Sequence, residues 1–290
     1  MFATNLWITQ QEKTEKQGRT PIDARKTMTL AELSAHSPFV LSIVGFLGAA
    51  IGSFLTLVTH RLPLEQGIVV KGSHCPKCGN TLKPWDLVPI LSWIFWRGKC
   101  RQCKVPVSIR YPLTELACAL GAVLLVFHYG LTLEALALTG LWWCIVAIVL
   151  TDLEHYIILD EVQIAGALFG VLYVYATGVP WIDALYAAIA GVAVGLALKY
   201  GFLLACKKDG LGMGDVKFLG VAGIWLTDAA NFIPFLFYSG ILGILSGVLW
   251  RLLTKSERFP FGPALAFALW LCVLLPALPN GFWQLYGVLR

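Results

Sequence analysis

Residues 210–218 read GLGMGDVKF: three glycines, an aspartate and a lysine at the head of an apolar run. A carboxylate near the centre of a membrane helix costs about 2.5 to 3.5 kcal/mol on insertion scales. Asp215 therefore belongs at an interface, in a pair, or where chemistry needs it. A second such residue stands upstream. Asp152 follows the apolar run GLWWCIVAIVL and lies in TDLEHYIILDE, so two carboxylates on separate hydrophobic segments are candidates to meet.

The surrounding composition sets the class. Of 290 residues, 58% are hydrophobic and only 13% charged, with a mean hydropathy of +0.73. These values exclude an ordinary soluble domain and describe a polytopic membrane protein. The net charge of +5 comes from basic residues scattered between apolar runs, so it bears on topology and not on nucleic acid, which is not an expected partner. Residues 1–37 form a polar extension without the basic, apolar, small-residue order of a cleavable signal. A mobile tail is the favoured reading of it, with a short amphipathic helix over PIDARKTMTLAEL as the alternative.

Apolar runs fall at 39–59, 113–132, 135–151, 158–177, 182–205, 216–228, 234–250 and 261–277. Most approach the roughly 20 residues that a spanning helix requires. The expected fold is all-α, with about eight transmembrane helices. The run after Asp215 is short, which calls for tilt, partial unwinding or extension back through the glycines. Residues 61–110 carry nine Lys and Arg, whereas 128–134, 178–183 and 228–231 carry none. The basic loop thus faces the cytoplasm. Lys199, Lys207, Lys208, Lys217, Arg251, Lys255 and Arg258 then fall on the same side, although Lys13, Lys16, Arg19, Arg25 and Lys26 of the extension fall on the other. The same alternation puts Asp152, closing the third span, and Asp215, opening the sixth, at the cytoplasmic edge.

That basic loop, between helices 1 and 2, contains Cys75-Pro76-Lys77-Cys78 and Cys100-Arg101-Gln102-Cys103, separated by 21 residues. Four thiolates at this spacing can close a tetrahedron around zinc; two disulfides are the structural alternative, which a cytoplasmic face, keeping thiols reduced, disfavours. Such a closed site is structural. Lys77, Lys99 and Arg101 are expected to favour the thiolates. Cys118, Cys144, Cys206 and Cys272, in or beside apolar spans, are expected to pack.

Two carboxyls sharing one proton can work as an aspartic protease: the ionised member activates water and the neutral member polarises the scissile carbonyl. Gly212 and Gly214 would let the backbone open near Asp215 and admit an extended peptide. The structural alternatives are an interfacial helix-end carboxylate for Asp152, and for Asp215 a pair with Lys217 or a helix cap. Asp160 is a reserve candidate, about two turns beyond Asp152 if the helix continues. Glu154, His155 and Glu161 read as a solvated cluster.

Taken in order, several stretches resemble the bacterial type IV prepilin peptidases. They are Gly52-Ser53-Phe54-Leu55 with Arg61-Leu62-Pro63, both cysteine pairs, Pro89-Ile90-Leu91-Ser92-Trp93, Tyr111-Pro112 with Glu115, Asp152 in TDLEHYIILD, Gly212-Met213-Gly214-Asp215-Val216-Lys217, and Phe261-Gly262-Pro263. The resemblance implies a leader peptidase and N-methyltransferase of the bacterial inner membrane, with Asp152 and Asp215 catalytic and the four loop cysteines binding metal. It implies prepilin and type II secretion pseudopilin substrates, cut on the cytoplasmic side, and S-adenosyl-L-methionine as methyl donor. No glycine-rich strand-to-helix motif locates that donor; the cysteine loop and Glu115 are the expected neighbourhood. Leu159 departs from the family, where many relatives have proline.

The implied organisation is a polar extension (1–37), a first span (38–60), a methyltransferase-associated tetracysteine loop (61–111), a membrane-embedded peptidase core (112–280) and a tail (281–290). Three alternatives follow from the same residues. They are a peptidase without methylation, a proton-coupled transporter using the two aspartates, and a zinc-stabilised scaffold. The transporter reading lacks acidic residues in the middle of the later spans.

Overall fold

The computed structural model describes residues 36–67, 72–207, 210–255 and 258–274. The expected extension, except its last two residues, and the 281–290 tail lie outside these. Among the described residues the protein is all-helical, with two isolated β-bridges in the cysteine loop and no strand. The helices are α1 (Pro38–Arg61), a short α2 (Leu91–Phe95), α3 (Arg110–Tyr129), α4 (Leu133–His155), α5 (Asp160–Thr177), α6 (Trp181–Cys206), α7 (Met213–Leu226), α8 (Phe232–Thr254) and α9 (Gly262–Leu274).

Each of the eight apolar runs contains one long helix. Five of them, α1, α3, α4, α6 and α8, are long and apolar enough to cross a membrane. The short run resolves as helix extended backwards: α7 begins at Met213, so it takes in Gly214 and stops at Gly212, its N-cap. Its 14 residues span about 21 Å, less than the roughly 30 Å of a hydrocarbon core.

Helix contacts follow small residues, as expected where lipid removes the hydrophobic drive for association. A side chain on Gly48 or Gly52 of α1 would meet the α3 backbone, at 2.9 Å from the Ala119 Cα and 2.7 Å from the Glu115 Cα. Gly191 and Gly195, one turn apart on α6, lie in the same way against Leu219 and Val216 of α7. Leu138, Leu141, Ile145 and Ile148 of α4 meet Phe218, Leu219 and Trp225 of α7 and Leu265 and Leu269 of α9 in the buried core. Tryptophan N–H groups tie the bundle: Trp142 Nε1 donates to the Ala117 carbonyl at 2.9 Å, and Trp225 Nε1 to that of Gly166 at 2.9 Å. Three of the four remaining cysteines, Cys118, Cys144 and Cys272, are buried as expected, but Cys206 is exposed at the end of α6 and does not pack.

Candidate active site and metal cradle

Helix α4 stops three residues after Asp152. Tyr156 takes a left-handed conformation (φ 57°) and its N–H closes the helix on the Asp152 carbonyl at 3.0 Å. A carboxylate in the last turn of a helix opposes the helix dipole, so Asp152 needs donors from elsewhere. The donor comes from another helix start. Gly262 is the first residue of α9, and its N–H, an unpaired helix-start group, donates to Asp152 Oδ2 at 2.6 Å. Pro263 beside it suits a helix start. Asp152 is only 5% exposed, and a Cβ on Gly262 would lie 2.9 Å from its Oδ2.

Asp215 is held in the same manner. It occupies the third position of α7 and its Oδ2 accepts from the Gly212 N–H at 3.1 Å, a capping arrangement. The cap alternative weighed from sequence is therefore realised geometrically. The Lys217 alternative is not: Lys217 bonds Asp160 on α5, Nζ lying 2.8 Å from both carboxylate oxygens. Asp215 feels the charges of Asp152 and of Lys199, whose Nζ donates to the Leu211 carbonyl at 2.9 Å. Gly214 packs on Ile158, in the segment 156–159 that follows Asp152, so both aspartates border one short connection.

Two expectations change here. Asp160 is not two turns along the Asp152 helix; it opens a new one, α5, after the chain reverses at Tyr156. Leu159 precedes it with φ −67°, a value proline would share, so the departure from proline leaves the helix start in place. Nor are Glu154 and His155 simply solvated. Glu154 pairs with Arg110 at 2.8 Å, and Arg110 also donates to Thr59 Oγ1 of α1 at 2.8 Å. Sequence reading assigned no role to Gly262 or Arg110. The helix-start pattern Phe261-Gly262-Pro263 was the available signal for the first; nothing local marks the second.

The four loop cysteines converge. Their sulfurs all lie within 4.8 Å of one another, with Cys75 and Cys103 3.8 Å apart and no disulfide between them. A tetrahedral ion with metal–sulfur distances of about 2.3 Å has sulfur–sulfur edges of about 3.8 Å, so the cradle fits a metal. The two halves repeat. The Cys75 N–H bonds the Asn80 carbonyl (2.9 Å) and the Cys100 N–H that of Val105 (2.8 Å), with left-handed residues at Gly79 and Lys104. N–H groups of Cys78 and Lys77 bring the Cys75 thiol down to about 6 against the effect of burial. At Cys103 the Val105 N–H also lowers, but burial and the three neighbouring sulfurs raise the thiol to about 11. Backbone, not the expected lysine and arginine side chains, thus favours the Cys75 thiolate. Arg101 lies instead near Asp86 at 3.8 Å and over Trp85 and Trp96.

Glu115 clamps this loop to α3. Buried at 6% exposure, it accepts from the Ile90 N–H at 2.6 Å and from Ser53, and Ile90 is held at φ 61°.

These features define a class: a multi-pass helical membrane protein with two helix-start-bound aspartates at one connection and a four-thiol cradle on the loop after its first helix. Residues 46–129 match the bacterial peptidase A24 N-terminal domain, and residues 138–248 match the type IV leader peptidase family. The chain is 34% identical over 275 residues to a prepilin leader peptidase/N-methyltransferase of Pseudomonas putida, covering 85% of this chain and 95% of that one. Proteins of the same name from Aeromonas salmonicida (34% over 282 residues; 84% and 94% covered) and Neisseria gonorrhoeae (31% over 271; 83% and 93%) are also similar. No solved structure matches the chain. The chain belongs to the type IV leader peptidase family.

Proposed function

We propose that this protein cleaves the leader peptide of type IV prepilins and type II secretion pseudopilins and methylates the new amino terminus. Asp152 and Asp215 are the catalytic pair. The observation that carries this reading is that each carboxylate spends one oxygen on a helix-start N–H from Gly262 or Gly212, leaving the other for water and peptide. One ionised carboxylate takes a proton from water as it attacks the scissile carbonyl. The other, protonated, donates to that carbonyl oxygen, and the departing amine leaves with a proton returned from the pair. Gly212 and Gly214 keep the approach to Asp215 free of side chains. Replacing Asp152 or Asp215 singly with Asn should lower prepilin cleavage in membranes by about 100-fold or more. Unchanged cleavage in either variant would end the assignment.

Methylation rests on the names of the relatives. S-adenosyl-L-methionine supplies the methyl group, and the cysteine loop (61–111) is the part assigned to that activity, beside the peptidase core (112–280). Zinc is the metal the four thiols suit, in a structural role. The relatives suggest the bacterial inner membrane, the apolar runs give eight spans, and the Lys and Arg distribution puts the loop and both aspartates at the cytoplasmic face. Prepilin incubated with a labelled methyl donor separates the activities: cleavage without label would leave a peptidase alone.

A further inference from the structure

The cysteine loop carries an apolar face that the metal cradle does not use. In α2, Leu91, Ile94 and Phe95 stand at i, i+3 and i+4 and so share one side, exposed by 64%, 59% and 75%. In the spans such exposure is what lipid contact requires; outside them it needs another explanation. This face is firmly aimed. The Ile90 N–H is bound by Glu115, in the second turn of α3, and Trp93 Nε1 donates to the Val107 carbonyl at 3.1 Å.

We propose that the Leu91, Ile94 and Phe95 face lies in the headgroup region of the anionic leaflet beside α3, with the basic residues around it on lipid phosphates. Three observations commit it to lipid. The clamp at Glu115 holds α2 next to a membrane-crossing helix whose own Leu113 and Leu116 are exposed. Between 83 and 104 the chain carries Lys83, Arg97, Lys99, Arg101 and Lys104 against the single acid Asp86. The cations lie on tryptophan rings: Lys83 5.1 Å from the Trp85 centroid, Lys104 5.9 Å from that of Trp96. Tryptophan and lysine side by side are the side chains that settle at an anionic membrane surface. A second copy would bring five like charges against five.

The test uses the full chain with p-benzoylphenylalanine in place of Phe95, in nanodiscs of phosphatidylcholine mixed with phosphatidylglycerol. Illumination should give a phospholipid adduct by mass spectrometry. The same group in place of the exposed Lys77 should give none. Yield should fall several-fold in phosphatidylcholine alone, or when Lys83, Arg97 and Lys104 are all changed to Gln. A dimer adduct, a substrate adduct when prepilin is added, or no adduct at all would overturn the proposal. Equal yield in both lipids would overturn its electrostatic half. Retained metal in the labelled protein shows that the loop is folded.

Discussion

Asp152 illustrates why a single side chain decides so much here. At the carboxyl end of α4 it sits against the helix dipole, and its burial leaves it few partners, so the Gly262 N–H on one of its oxygens is its stabilising contact. Gly262→Ala places a methyl group against Oδ2. Cleavage is then expected to fall on the order of 100-fold, because a displacement of about 1 Å at a reacting group has that effect. Methylation of an already cleaved pilin should be unaffected, and comparing the two rates checks it. At the cradle, Cys75 is already ionised at neutral pH because its thiol lies near 6. Its thiolate persists as pH falls until about 6 and is lost below. Zinc binding to the stripped protein at pH 7 should therefore release about three protons, where four ordinary thiols would release nearly four, measured by titration calorimetry in buffers of different ionisation enthalpy. Release of four would contradict the lowered thiol.

Among the elements, α1, α3 and α4 are joined by Arg110, which reaches Thr59 and Glu154 from the first turn of α3. The Glu154 side chain is a third exposed, so that ion pair contributes about 1 kcal/mol or less. The bond to the buried Thr59 hydroxyl adds more, since charged donors to protein acceptors contribute about 1.5 to 3 kcal/mol. Arg110→Ala should lower the thermal midpoint in detergent clearly more than Glu154→Gln. Equal shifts would mean that the ion pair, not the link to α1, matters. The loop itself was legible as an element: two Cys-x-x-Cys pairs at this spacing have few other uses. Its attachment was not, because Glu115 binds a backbone N–H 25 residues away, and backbone donors leave no mark in a sequence.

For the whole molecule, the charge pattern makes a topological prediction. Reporter fusions or thiol labelling should place residues within 72–108 and 210–212 on one side of the membrane and residues near 178–180 and 227–231 on the other. Labelling of the first two regions from opposite sides would break the shared site. The order of apolar runs predicted all eight long helices, with ends shifted by a few residues where caps intervene: α7 starts at Met213 because Gly212 caps it, and α4 ends at His155 because Tyr156 turns left-handed.

Hydropathy, the two aspartates and the four cysteines are local properties, and a lipid solvent makes them decisive: an apolar run of sufficient length must be helical, and an acid at its end must have a reason. Which groups answer those acids was decided only by the tertiary structure. Asp152 is met by an N–H 110 residues further on, at the start of the last described helix, and Asp160 by Lys217 on α7. Such partners are chosen by how helices pack, through small residues on facing surfaces, and packing brings together positions whose separation along the chain carries no signal of their meeting.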